Sequence, residues 1–97
     1  MGKIWKYDFD IAKYSKAIEE HPEQYGAYNN RGIAYRKKGE YHLSIDDFSK
    51  AIELNPSFVQ AYINRGNVYQ EIGSYELSIA DLNRAIILDS QNSMAYN

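Results

Sequence analysis

Cysteine is absent from this chain of 97 residues, so it offers neither a disulfide framework nor thiolate chemistry. Basic residues do not dominate it. Lysine and arginine number 11 against 13 acidic residues, net −2, which argues against a nucleic-acid module with its basic excess. No apolar run approaches the ~18–20 residues of a membrane span. The start of the chain, one lysine and then Ile4 and Trp5 followed by charges, is not a signal peptide. Met1-Gly2 lacks a myristoylation context, because Lys6 stands where Ser or Thr is wanted. Proline occurs only at Pro22 and Pro56. Strand-like alternation, linkers and low-complexity segments are missing. What these absences leave is one small helical domain, expected in the reducing cytoplasm, with no membrane and no nucleic acid among its partners.

Tyrosine, in contrast, is plentiful at 10 residues, and a repeat explains it. Ala27-Tyr28-Asn29-Asn30-Arg31-Gly32-Ile33-Ala34-Tyr35 returns 34 residues later as Ala61-Tyr62-Ile63-Asn64-Arg65-Gly66-Asn67-Val68-Tyr69, and Ala95-Tyr96-Asn97 begins it once more. Aligned with 59–92, residues 25–58 are identical at 15 of 34 positions. A period of this length decides the architecture before any single residue does. Tyr7, Tyr41 and Tyr75 share one phase of it; Tyr28, Tyr62 and Tyr96 share a second; Tyr35 and Tyr69 share a third. Aromatics placed so regularly read as filling between helices, with hydroxyls reaching the edge for hydrogen bonds.

Apolar stripes at helical spacing predict helices over 8–20, 25–38, 42–54, 59–72 and 76–88. His21-Pro22 and Asn55-Pro56 end the first and third, since the residue before proline is pushed out of the helical region. Gly39 and Gly73 break the chain after the second and fourth. Asp89-Ser90 replaces Asn55-Pro56, and residues 93–97 are expected to start a sixth helix. Short connections make neighbouring helices antiparallel. By phase, residues 7–24 are the second helix of an incomplete repeat, 25–58 and 59–92 are full repeats, and 93–97 open another, all in a single domain, 1–97.

Gly32 and Gly66 sit inside helices, where glycine costs ~1 kcal/mol against alanine. Their recurrence predicts a tight crossing, with Ser44 and Ala51, or Ser78 and Ala85, expected on the other side. Asp10 stands where the first helix's relatives carry Ser44 and Ser78. Arg31 and Arg65 are expected to pair with Asp47 and Asp81.

The pattern resembles the tetratricopeptide repeat: 34 residues, helix–turn–helix, with the opening Tyr28…Gly32…Tyr35 and Tyr62…Gly66…Tyr69, then Phe48…Ala51…Pro56 and Leu82…Ala85. Arg31 and Arg65 replace the usual leucine, Ser44 and Ser78 the usual alanine, and Ser90 the proline. The resemblance spans about residues 7–97. It implies an all-α, right-handed superhelix of five antiparallel helices, two full repeats with half repeats at the ends. The first helix of each pair would line a concave groove that takes an extended peptide or a partner helix, so that the chain is a protein-interaction scaffold or adaptor. In several members an asparagine ladder holds the ligand backbone, and Asn30 and Asn64 match its position, where they would either contact the ligand or tie neighbouring repeats together; an amide both donates and accepts. The remaining groove residues would be Asn29, Ile33, Arg36 and Lys37, then Gln60, Ile63, Asn67, Gln70 and Glu71, with an acidic ligand segment nearer Arg36 and Lys37. The carboxylate clamp of the chaperone-binding members is missing. Asn29 and Ile33 stand where a clamp Lys and Asn would be, and Gln60 and Asn64 where a Lys and an Arg would be, so an incoming Glu-Glu-Val-Asp tail is not the expected ligand.

No catalytic, metal or cofactor site is expected. His21 and His42 lack the i, i+4 spacing of a helical metal pair, and the adjacent Asp46 and Asp47 point to different sides. Solenoid repeats need neighbours to cover their apolar faces. The last helix, with Ile79, Leu82, Ile86, Ile87 and Leu88, has no polar capping helix after it. The alternatives to a groove-binding adaptor are therefore self-association through the open ends, giving a homo-oligomer, or a substrate-recruiting part of a larger enzyme or longer array. Ile4 and Trp5 could cap the first end.

Overall fold

The structure, a computed structural model, describes the backbone of residues 2–96 and the side chains of residues 6–92. Five helices follow one another: α1 (Gly2–Glu20), α2 (Tyr25–Lys38), α3 (Tyr41–Leu54), α4 (Val59–Glu71) and α5 (Tyr75–Tyr96). Each packs on the next, and α2 also meets α4. The assembled stack measures 46 × 33 × 19 Å. The number of helices is as the repeat predicts, and their ends show which signals work. Gly39 and Gly73 take left-handed φ angles of 90° and 83°. Behind each, the next residue's N–H reaches back five residues, Glu40 to the Tyr35 carbonyl at 2.9 Å and Ser74 to the Tyr69 carbonyl at 2.8 Å. This closes the last carbonyls of α2 and α4 in a turn that only glycine enters freely.

Two ends differ from expectation. α1 begins at Gly2 rather than at residue 8, because no breaker interrupts residues 2–7 and the backbone satisfies its polar groups by continuing the helix. α5 does not stop at 88. Asp89-Ser90 is helical, and the expected sixth helix is the continuation of the fifth. Pro22 and Pro56 end α1 and α3 by ring clash and a missing N–H, and Ser90 has neither property. The suggested capping by Ile4 and Trp5, and the side chain of Tyr96, lie outside the described side chains.

The core alternates between pairs. Tyr28, Ala51 and Ala61 form one cluster with Ile18, Ile52, Leu54 and Phe58 against it. Tyr62, Ala85 and Leu88 form the next, with Ile52, Val59 and Ile63. Ile52 serves both, so the core is continuous along the stack. The two buried tyrosines donate their hydroxyls to the proline turns, Tyr28 to the Pro22 carbonyl at 2.9 Å and Tyr62 to the Pro56 carbonyl at 3.0 Å. The close crossings at Gly32 and Gly66 exist, but not against the small residues expected. A Cβ at Gly32 would stand 2.7 Å from the Phe48 ring, and one at Gly66 would stand 3.1 Å from Leu82. The glycines make room for large side chains of α3 and α5, while Ser44 and Ala51 are themselves buried.

Candidate functional site

The predicted arginine–aspartate pairs hold the stack in register. Arg31 Nε and Nη2 donate to Asp47 Oδ2 and Oδ1 at 2.8 and 2.7 Å. Arg65 repeats this with Asp81 at the same two distances. Such a forked pair fixes orientation as well as charge. The third donor of each fork was not foreseen: Arg31 Nη1 reaches Ser15 Oγ at 3.1 Å and Arg65 Nη1 reaches Ser49 Oγ at 3.0 Å. Each arginine therefore ties three successive helices. The signal was in the period, since Ser15 and Ser49 share a phase. The guanidiniums also lie over Tyr28 and Tyr35, and over Tyr62 and Tyr69, at 5.7–5.9 Å. Hydrogen bonding to Asp47 and Asp81 raises the pKa values of Arg31 and Arg65 above the ordinary arginine value. At the other edge, Lys38 Nζ pairs with Asp8 Oδ1 at 2.8 Å and joins α1 to α2. That hydrogen bond raises the Lys38 pKa.

These clusters consume one side of α2 and α4. On the other side, at 3.6 residues per turn, Asn29, Asn30, Ile33, Arg36 and Lys37 share an arc of about 120°. Ile63, Asn64, Asn67, Gln70 and Glu71 share the same arc of α4, with Gln60 one turn before them. Two bonds, each spanning 35 positions, join the arcs. Asn64 Nδ2 donates to Asn29 Oδ1 at 3.1 Å, and Arg36 Nε donates to Glu71 Oε1 at 2.7 Å. The first is the tie between repeats that the sequence left open for Asn64, and the second was not anticipated. Asn29 is buried, 7 % exposed, and belongs to the packing between repeats rather than to an open surface. Asn64 is half-buried, and one of its two amide hydrogens is engaged by Asn29, a bond that the exposed Asn30 does not make. The Arg36 charge is answered by Glu71, which leaves Lys37 as the exposed cation of this arc that has no ion pair among the described residues.

Two depressions flank the bonded centre. One, of about 140 Å³, is lined by Asp10, Tyr14, Asn30, Ile33, Ala34 and Lys37, which gives the carboxylate at position 10 a polar setting. The other, of about 420 Å³, is lined by Arg36, Asn67, Gln70, Glu71 and Tyr75. Gln60 and Ile63 lie apart from both, in a depression between α4 and α5. Of the eleven residues picked from the sequence, eight thus line the two depressions or the bonds between them as open or half-open surface. Asn29 is inside, and Gln60 and Ile63, on the same arc one turn nearer the start of α4, line the depression toward α5.

The side-chain chemistry along the arc is amide-rich. Asn30, Asn67 and Gln70 each present both donors and an acceptor with no hydrogen-bond partner among the described residues, beside Ile33 and Lys37. That set suits a peptide backbone, which offers alternating N–H and C=O groups. Among the described residues no three His, Cys, Asp or Glu side chains gather as metal ligands. No helix of the described residues is long and apolar enough to cross a membrane.

Comparisons with known proteins agree with this architecture. Two tetratricopeptide-repeat models match the chain, one over residues 25–58 and one over 48–80. No curated protein matches it significantly in sequence. Among solved structures, a TPR2B-domain:pHsp70 complex of yeast Sti1 is similar at 29 % identity and a TM-score of 0.87, over 89 % of this chain and 69 % of that one. The first TPR of Spaghetti (RPAP3), bound to the HSP90 peptide SRMEEVD, is similar at 28 % identity and a TM-score of 0.85, over 88 % and 68 %. A crystal structure of MamA shares the fold at 24 % identity and a TM-score of 0.84, over 87 % of this chain and 49 % of that one. The chain spans about half the length of the MamA structures it matches. With the 34-residue period, the paired antiparallel helices and these matches together, the chain belongs to the tetratricopeptide-repeat family.

Proposed function

We propose that this chain is a protein-interaction scaffold whose α2–α4 arc binds an extended segment of a partner protein, with no chemistry of its own. The observation that carries this reading is the contrast between the two sides of these helices. Arg31 and Arg65 each bind an aspartate and a serine between tyrosine rings, whereas Asn30, Lys37, Asn67 and Gln70 keep their hydrogen-bonding groups open beside two depressions. Two similar solved structures hold Hsp70 or HSP90 peptides in complexes of this fold, which supports a peptide as the class of ligand. The side chains set its type. Arg36 is neutralised by Glu71, so the arc lacks a cluster of free cations for a terminal carboxylate. The ligand is read through its backbone by Asn30, Asn67 and Gln70, with Ile33 taking an apolar side chain and Lys37 a single acidic one. A chain without cysteine working by such contacts fits the cytoplasm.

The test is selection from a displayed random-peptide library by the wild type and by the Asn30→Ala/Lys37→Ala double variant. Both residues are exposed, so circular dichroism of the variant should match the wild type. The reading expects the wild type to enrich a motif containing one acidic residue and the variant to lose it. Equal selection by both proteins, or none by either, would reject it.

A further inference from the structure

Two opposite charges of the α2–α4 arc are joined across the repeats. Arg36 Nε donates to Glu71 Oε1 at 2.7 Å, and Arg36 Nη2 pairs with the same oxygen. The two residues belong to helices that already meet, so the pair is internal to the stack and owes nothing to its open ends. Both donors converge on one carboxylate oxygen. Glu71 Oε2 therefore keeps its acceptor capacity and Arg36 Nη1 its two hydrogens, and neither atom has a hydrogen-bond partner among the described residues. The side chains are 35 % and 34 % exposed, open to a ligand from one side. They form a wall of the depression of about 420 Å³ that Asn67, Gln70 and Tyr75 complete.

This wall is strongly polar but carries no net charge, and it turns away both signs. An incoming carboxylate meets Arg36 with Glu71 beside it. An incoming ammonium or guanidinium meets Glu71 with Arg36 beside it. Like charge set against a wrong partner is a common device of specificity. An apolar side chain displaces water from the free N–H and carboxylate groups without replacing its hydrogen bonds, which also weakens binding. An uncharged group with one donor and one acceptor satisfies both residues. The ion pair holds the wall's own donor and acceptor side by side. A trans peptide bond points its N–H and C=O in opposite directions, whereas a primary amide carries NH2 and C=O next to each other. The match is to a side-chain amide, distinct from the ligand backbone that Asn30 reads.

We infer that this depression is a subsite for a glutamine or asparagine side chain of the bound segment, whose C=O accepts from Arg36 Nη1 and whose NH2 donates to Glu71 Oε2. The subsite rests on the proposed reading of the α2–α4 arc as a peptide site. It adds an amide residue to the single acidic one taken by Lys37. Glu71 sets the preference, because by holding Arg36 it keeps a second acidic residue out.

The probes are fluorescein-labelled peptides of the motif that the wild-type chain enriches from a displayed random-peptide library, with Gln, Glu, Lys or Ala at the amide position. Each is titrated with the full chain and followed by anisotropy. The wild type should enrich Gln or Asn at one position and bind the Gln peptide roughly fivefold more tightly than the other three, the scale of a net hydrogen bond. Glu71→Gln frees the Arg36 charge and should reverse the order to Glu above Gln. Arg36→Gln frees Glu71 and should put Lys first. Both new preferences should shrink at high salt, which screens exposed charges, while the wild-type preference for Gln persists. An exposed pair adds little to stability, so both variants should keep the wild-type helix content by circular dichroism. A motif that Asn30→Ala/Lys37→Ala abolishes but that has no amide position, or an order that Glu71→Gln and Arg36→Gln leave unchanged, would overturn the subsite and leave the groove standing. No motif, or one indifferent to Asn30→Ala/Lys37→Ala, would overturn the groove and the subsite with it.

Discussion

Replacing Gly32 by alanine sets two known effects against each other. Alanine stabilises a helix interior by ~1 kcal/mol relative to glycine. The added methyl, however, would stand 2.7 Å from Phe48 Cε1 and 2.9 Å from its Cδ1, where carbon atoms rest at about 3.5–4.0 Å. Phe48 is fully buried, so its ring has no free space to enter. Overpacking of this kind costs ~1–3 kcal/mol, and an overlap near 1 Å puts Gly32→Ala at the upper end. The net loss is ~1–2 kcal/mol, a fall in Tm of about 5–15 °C for a domain this size. At Gly66 the same methyl meets flexible Leu82 atoms at 3.1 Å and Asp81 Cβ at 3.3 Å. The cost there is ~1 kcal/mol, and Gly66→Ala should be near neutral. Urea and thermal unfolding followed at 222 nm measure both. Adding Gly32→Ala to a Phe48→Leu background should remove the penalty, because the site then resembles Gly66 with Leu82. A stabilising Gly32→Ala, or one equally costly in both backgrounds, would refute the steric account.

Further outcomes follow from the same geometry. Ser44 Oγ is buried with no hydrogen-bond partner among the described residues, so Ser44→Ala should raise stability by ~1 kcal/mol in urea unfolding. Arg31→Met leaves the Asp47 carboxylate buried and unpaired; because the pair keeps some solvent access, the loss should be ~2–3 kcal/mol, below that of a fully buried pair. Adding Asp47→Leu should recover most of it. Asn64→Ala strands the buried Asn29 oxygen and should cost ~1–2 kcal/mol, whereas Asn30→Ala at an exposed site should stay within ~0.5 kcal/mol. Ser90→Pro should end α5 where Pro56 ends α3 and remove about two turns of helix from the circular dichroism signal.

The 34-residue period made the helix pairs and the arginine–aspartate forks legible, because both depend on positions that recur. What escaped depended on side-chain direction or on an absent signal. Asn30 and Asn64 share a phase and therefore read as equivalent, yet only Asn64 has a helix before it in the stack carrying an amide at the right place, and the bond it makes spans 35 positions rather than 34. Arg36 reads as a free groove cation until Glu71, also 35 positions away, is seen against it. Gly32 marked a close approach without revealing which residue filled it; a ring rather than a small side chain does. The length of α5 turned on a single missing proline, whose effect on the backbone a phase alignment overrides.

The claim that the α2–α4 arc is the peptide site is tested most directly by 15N NMR of the chain titrated with a selected peptide. The account predicts that the largest amide shifts cluster at Asn30, Ile33, Lys37, Asn67 and Gln70, with the side-chain amides of Asn30, Asn67 and Gln70 moving too. Shifts concentrated on α5 around Ile79 and Ile86, with the arc unmoved, would contradict it.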